Sequence, residues 1–509
     1  MLHTFPNGFR VIHGTPIASR VPVSCIHIIC DVGSASEPDD LKGACHFIEH
    51  LCFKGTAHIR NIKSVFNKYD SVGAYFNAYT EKDYTVFVIK CEDTFVYECL
   101  EILSDLLLHS TFPVKTYEKE KRVVVEENRN DTNNFESICE EKLDVLLYPT
   151  RAHTSTTDIS GNNIKDYSLP IDTMAFHATD TTPAQQHLSR DKVFAFYKSN
   201  YVPARMILSI LSQIPQKSIV AHIKKNALFD GCGGKHNGVG HVSVSVPVNN
   251  VSIAPVPPPP TPPQVASVCS RQSLIAPVPP PLPQIHIEKK QGVNTVLLMI
   301  GFRTCPFDHP DKYALKMIEK MLSGGTMSGR MFSLLREDNG LTYRTEAYTE
   351  YYRSVGKFVI SVETDADNFF INNTGTAGGD GNGHRKRTVG TTRTNNGVFP
   401  LLMNMIKEMY VGGIHKTELE RIRGFIHGKM TMNAEKIENQ CDYQGDEIYY
   451  RDKMVVPYEN VYKHYIEPLT AKYINRAIRT YFVPSNIAIS ILCDEKNRTI
   501  TERALLKYL

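Results

Sequence analysis

Residues 45–56 read CHFIEHLCFKGT, with His46 and His50 four positions apart and Glu49 beside the second histidine. On a helix that spacing places both imidazoles on one face, one turn apart. Paired imidazoles suit zinc, and a zinc ion that does chemistry takes three protein ligands and keeps one position open. Glu49, three from His46, then stands near enough to take a proton from a metal-activated water. The third ligand has to come from elsewhere. The segment YEKEKRVVVEENRNDTNNFESICEEKLDVLL (117–147) has the apolar spacing of one long helix and offers Glu120, Glu126 and Glu127. Glu120 and Glu127 are seven apart and share a face, so one can bind metal while the other hydrogen-bonds the site. By spacing alone the motif is a moderate signal, because paired histidines on a helix are more often packing or surface accidents.

Two elements must position these residues, and each has a counterpart further on. VSCIHIICDVGSASEPDDLKGACHFIEHLCFKGT reads as an apolar strand, a polar turn, a helix and a Gly-Thr stop. TVLLMIGFRTCPFDHPDKYALKMIEKMLSGGT, in the second half, runs the same way. Aligning the Ile-Glu pairs sets Glu49 opposite Glu319, His46 opposite Lys316 and His50 opposite Lys320. The chain therefore reads as two copies of one α+β unit, of which only the first keeps histidines. That contrast weighs against a packing role for them. AYFNAYTEKDYTVFVIKC (74–91) carries the β-branched and aromatic residues of strands, and VYECLEILSDLLLHSTF (96–112) has helical spacing.

Between the copies lies IAPVPPPP at 253–260 and IAPVPPP again at 275–281. Such runs can neither pair in a sheet nor continue a helix, and residues 241–285 read as a semi-rigid polyproline linker. The segment TGTAGGDGNGHRKRTVGTTRTNNG (374–397) reads as a low-complexity surface loop. The expected organisation is a first domain at 1–240, the linker, and a homologous second domain at 286–509 without a metal site.

Composition narrows the remaining classes. With 42% hydrophobic and 22% charged residues, 509 residues exceed one compact core. A net charge of +3 favours neither nucleic acid nor a membrane surface as partner. No apolar run reaches the length of a membrane span. The start, MLHTFPNGFRVIHGT, shows no signal or transit peptide, and twelve cysteines occur singly without a CxxC pair. A cytoplasmic location with reduced thiols is expected, a mitochondrial one less so.

HxxEH with a distant glutamate is the inverzincin pattern. GACHFIEHLCFKGT closely resembles the pitrilysin family of zinc metallopeptidases, which includes insulin-degrading enzyme and the mitochondrial processing peptidase. LHTFPNGFRVI resembles that family's opening strand, FNAYTEKDYTVF its substrate-pairing edge strand, and EKEKRVVVEENRND the helix with the third ligand. HLSRDKVFAFYKSNYVPARMILSI resembles the end of its first domain. LSGGTMSGRMFSLLREDNGLTYRTEAY resembles its stretch with an arginine and a tyrosine seven apart, here Arg336 and Tyr343. The likeness spans most of the chain outside the inserts.

The resemblance implies an α+β fold of two homologous domains, each a mainly antiparallel sheet packed against helices, together forming half of a clamshell. It implies one Zn2+ per chain, held by His46, His50 and Glu127, with Glu126 the alternative and Glu120 in support. It implies an endopeptidase acting on peptides or unfolded segments in an enclosed chamber. Glu49 would be general base on the zinc-bound water, and Arg336 and Tyr343 would donate to the oxyanion or substrate. Asn77 and Ala78 would line the substrate-pairing strand. The Arg336–Tyr343 pair faces the metal from the opposite half of such a clamshell, so a homodimer is expected, or a heterodimer with a sister subunit. The segment PIDTMAFHATDTTPAQQ (170–186) departs from the family pattern, and His177 within it reads as a loop histidine. Competing readings are a catalytically silent structural subunit and a peptide-holding protein of the same fold.

Overall fold

In the computed structural model, the described residues are 2–17, 21–59, 62–131, 134–148, 188–230, 283–324, 328–370, 397–454 and 456–509. The 170–186 segment with His177, and the proline linker and 374–397 loop except for residues 283–285 and 397, lie outside them.

Two sheets organise these residues. The first contains β1 (Leu2–Thr4), β2 (Arg10–Gly14), β3 (Val23–Cys30), β4 (Tyr75–Thr80), β5 (Thr85–Glu92) and β6 (Met206–Leu211) in the order β1-β2-β6-β3-β5-β4. The second contains β7 (Gln284–Lys290), β8 (Val296–Thr304), β9 (Thr342–Tyr351), β10 (Gly356–Thr364) and β11 (Ile487–Asp494) in the order β7-β11-β8-β10-β9. In each, the β2–β6 or β7–β11 pair is parallel and the later neighbours antiparallel. One topology is thus used twice, as the paired sequence segments suggest, and the fold is α+β. Strand β7 begins inside the expected linker, because the proline run ends at Pro283 and Gln284 pairs at once with Ala488.

The long helix expected over 117–147 is two helices, Val114–Asp131 and Phe135–Leu147. Asn134 separates them, its side-chain oxygen accepting from the N–H groups of Glu136 and Ser137. The second of the pair leaves its own half and packs on β8 and β11 of the other. Helix Ile437–Arg451 returns the exchange by packing on β3 and β6. These two crossed helices form the seam between the halves. Ile29 would strike a Cβ at Gly445 at 2.6 Å, and Leu147 one at Gly301 at 2.9 Å. Each contact needs a glycine opposite a branched side chain. This double interlock explains why β3 is buried along seven of its eight residues: Ile26, Ile28 and Cys30 face the first half's own core, Cys25 and Ile29 the seam.

Lys312 sits at the edge of this seam, 8% exposed, its ammonium 3.3 Å from the centre of the Phe307 ring and 4.0 Å from Glu447. Burial, and next the Arg451 guanidinium, pulls its pKa down to about 7. The unfolded chain keeps that proton up to about pH 10. Between those values the unfolded state binds the extra proton, so stability rises with pH across the window. Lys312→Met should flatten that rise and raise the melting temperature below pH 7, as thermal scans across pH would show. A pH profile unchanged by the substitution would contradict the assignment.

Candidate metal centre

Helix Ala44–Cys52 carries the two histidines. Its start is fixed by Gly43, at φ 82°, and by Glu37, whose carboxylate accepts the N–H groups of Gly43 and Cys45 at 2.7 Å each. Phe47, Ile48 and Leu51 are wholly buried and anchor the helix on its sheet. Each contributes about 1.5–3 kcal/mol by leaving water. The polar residues occupy the remaining face, toward helix Val114–Asp131 and strand β4.

There His46 Nε2 and His50 Nε2 lie 3.1 Å apart, the rings nearly perpendicular at 89°. Glu127 Oε2 is 3.5 Å from His50 Nε2. On the far side of the ring, His50 Nδ1 meets Glu120 Oε1 at 3.0 Å, and Lys54 Nζ meets the same oxygen at 2.8 Å. The Glu120 carboxylate draws the ring proton to Nδ1, which leaves a lone pair on Nε2. Electron-pair donors of His46, His50 and Glu127 therefore converge, all within 4.8 Å of one another. Among the described residues His46 Nδ1, though buried, has no hydrogen-bond partner. Three donors facing one another with no proton donor between them suit a cation, and two imidazoles with a carboxylate suit zinc. Glu126 is outside this group; the helix turns it away from Glu127's direction.

Electrostatics follow from burial. Desolvation, then the neighbouring His50, pulls His46 down to about 4. Burial would lower His50 too, but its bond to Glu120 and the surrounding carboxylates outweigh that and raise it. Burial pushes Glu49 up, against the Thr80 hydrogen bond and His50. Glu120 is held low despite burial by its bonds to His50 and Lys54.

Glu49 is 9% exposed, and Thr80 Oγ1 donates to its Oε2 at 2.7 Å. Spacing did not reveal Thr80, although a signal was present: AYTE occurs at 78–81 and again at 347–350. In the second half Thr349 Oγ1 donates to Glu319 at 3.0 Å, while Lys316 and Lys320 reach the same carboxylate at 2.8 and 2.7 Å. The acid and its threonine recur in both halves. Where the first half gathers imidazoles, the second places two ammonium groups, which satisfy the carboxylate and leave no lone pairs for a metal.

Asn77 and Ala78 lie on β4, which ends its sheet order, so among the described residues no strand pairs with its outer edge. Arg336 and Tyr343 are in the second half. The guanidinium lies 5.0 Å from the centre of the Tyr343 ring and 5.1 Å from that of Phe332, and Tyr343 is 86% exposed. Among the described residues Arg336 makes no ion pair, and no hydrogen bond joins either residue to the histidine site.

Comparison with known proteins gives two family matches: Insulinase (Peptidase family M16) over residues 17–155 and Peptidase M16 inactive domain over 187–373. The uncharacterized zinc protease YmxG of Bacillus subtilis is 25% identical over 369 residues, covering 72% of this chain and 74% of its own. An uncharacterized zinc protease of Rickettsia bellii is 23% identical over 89% of this chain and 88% of its own. The mitochondrial-processing peptidase subunit beta of Caenorhabditis elegans is 27% identical over 44% of this chain and 43% of its own. Among solved structures, a protease from Helicobacter pylori shares the fold at a TM-score of 0.71 and 16% identity, covering 97% of this chain and 98% of its own.

Proposed function

Since the chain belongs to the M16 family of peptidases, we propose that it is a zinc-dependent endopeptidase cleaving peptides or unfolded protein segments. The observation that carries this is the convergence of His46, His50 and Glu127 beside the buried, threonine-held Glu49. Zinc in that position would supply Lewis-acid polarisation of the scissile carbonyl and make water a better nucleophile.

The chain's own groups do the rest. Glu49 accepts the proton of the attacking water and returns it to the departing amine. Its raised pKa brings acid and base forms closer to neutrality, and Thr80 fixes which oxygen faces the reaction. Glu120 keeps the His50 proton on Nδ1. The free edge of β4, at Asn77 and Ala78, pairs with the extended substrate backbone. Arg336 and Tyr343 supply hydrogen bonds to the oxyanion or substrate from a second copy of the chain, because within one chain they do not reach the site. Relatives named subunit beta make a sister subunit the alternative partner. A catalytically silent subunit is the second reading. The match described as an inactive domain favours it, but His46, Glu49, His50 and Glu127 all fall in the separate Insulinase match over residues 17–155.

Digestion of a mixed peptide library tests the proposal. Cleavage should disappear when zinc is stripped by a chelator and return when zinc is restored. Cleavage that survives stripping, or a folded, zinc-loaded protein that leaves every peptide whole, would contradict it.

A further inference from the structure

The seam between the halves holds a second group of side chains that could ligate a metal, drawn from both halves of the chain. Cys25 and His27 are two apart on β3 and so point the same way, toward helix Ile437–Arg451. There they meet Cys441. Cys25 Sγ is 3.3 Å from His27 Nε2, and the ligand atoms of Cys25, His27 and Cys441 all lie within 4.8 Å of one another. All three residues are buried. On the other side of the ring, His27 Nδ1 meets Asp442 Oδ1 at 2.9 Å. A carboxylate on one imidazole nitrogen, with thiols at the other, is the arrangement that fixes a metal-binding tautomer. Ser209 Oγ, 3.4 Å from Cys441 Sγ, donates to the Cys441 carbonyl at 2.8 Å and holds that cysteine against the sheet.

The internal repeat serves as a control. Ser209 pairs with His27 across the first sheet, as Ser490 pairs with Met299 across the second. Leu211 pairs with Cys25 as Leu492 pairs with Leu297. Cys139, on the other seam helix, contacts Ser490 at 3.3 Å as Cys441 contacts Ser209. The same helix-on-sheet contact is therefore built twice. In the second half Leu297, Met299 and Cys139 pack it without imidazole. Packing alone does not require His27 and Cys25.

We propose that Cys25, His27 and Cys441 form a second, structural zinc site that ties the two halves together. Binding would release one proton from each thiol and any proton on His27 Nε2, leaving the ring neutral with its proton on Nδ1 toward Asp442. A disulfide between the two cysteines is the competing chemistry. Exchange needs a thiolate and access to solvent. Here both cysteines are buried, out of reach of an exchanging thiol.

The test is cobalt substitution in the full-length protein. The histidine–glutamate centre offers no sulfur, so a near-ultraviolet thiolate-to-cobalt band reports only a cysteine site. The band should appear in the wild type and in His50→Ala, remain in Cys139→Ser, and vanish in Cys25→Ser and Cys441→Ser. Loss of the proposed peptidase function would leave these results unchanged. X-ray absorption at the zinc edge, which needs no variant, should show sulfur neighbours in the zinc-loaded wild type. Absence of both sulfur signals, a band that survives Cys25→Ser and Cys441→Ser, or a Cys25–Cys441 disulfide found by peptide mapping would overturn the proposal.

Discussion

Glu49→Gln should bind zinc as the wild type does and lose peptide hydrolysis by on the order of 10²–10⁴-fold, the usual contribution of a positioned general base. The amide has the shape of the carboxylate, and its oxygen can still accept the hydrogen bond that Thr80 donates at 2.7 Å. The helix therefore keeps its packing. The three converging donors are on other residues, so metal content should not change. What is lost is the capacity to take a proton. KM should move little while kcat falls, because the group acts on the attacking water rather than on the bound peptide. A Glu49→Gln enzyme as fast as the wild type would remove Glu49 from the mechanism, and one that loses its zinc would make it a ligand.

Lys357→Met should lower folding stability by about 3–5 kcal/mol, the cost of breaking a buried ion pair by removing one partner. Lys357 is fully buried on β10, its ammonium 2.7 Å from Glu140, 2.8 Å from Asp144 and 3.2 Å from Glu350. Glu140 and Asp144 belong to the seam helix that crosses from the first half. Lys82, in the turn between β4 and β5, grips the other oxygen of Asp144. Without Lys357, three carboxylates face one ammonium in a poorly hydrated space. The urea unfolding midpoint should fall sharply, and adding Asp144→Leu to Lys357→Met should recover part of the loss, which a double-mutant cycle would measure. A midpoint within error of the wild type would show that the network contributes nothing to holding the halves together.

Much of this architecture is legible in the chain because it is written twice. The matched strand–turn–helix segments predict the repeated topology, and the replacement of His46 and His50 by Lys316 and Lys320 marks the half where a metal site is expected. Helical phase puts Glu120 and Glu127 on one face, while the preference for Glu127 over Glu126 as third donor comes from the family resemblance. Other features depend on contacts that no local pattern encodes. The break at Asn134 is an exception, since EENRNDTNN at 126–134 carries no apolar residue and so interrupts the helical spacing locally. Thr80 reaches Glu49 only because β4 crosses the histidine helix, 31 residues on. Cys441 meets Cys25 across 416 positions. In sequence these are single cysteines in apolar runs, and only the exchange of helices between the halves brings them together. Arg336 and Tyr343 were suggested by family resemblance alone, and their exposure on one chain fits a role completed by another copy.

The most direct measurement is anomalous diffraction at the zinc edge from crystals of the full-length protein. A strong peak is expected between His46 Nε2, His50 Nε2 and the Glu127 carboxylate, with Glu49 beside it and outside bonding distance. Zinc-loaded crystals with no peak at that position, or with Glu49 bound in place of Glu127, would contradict that arrangement.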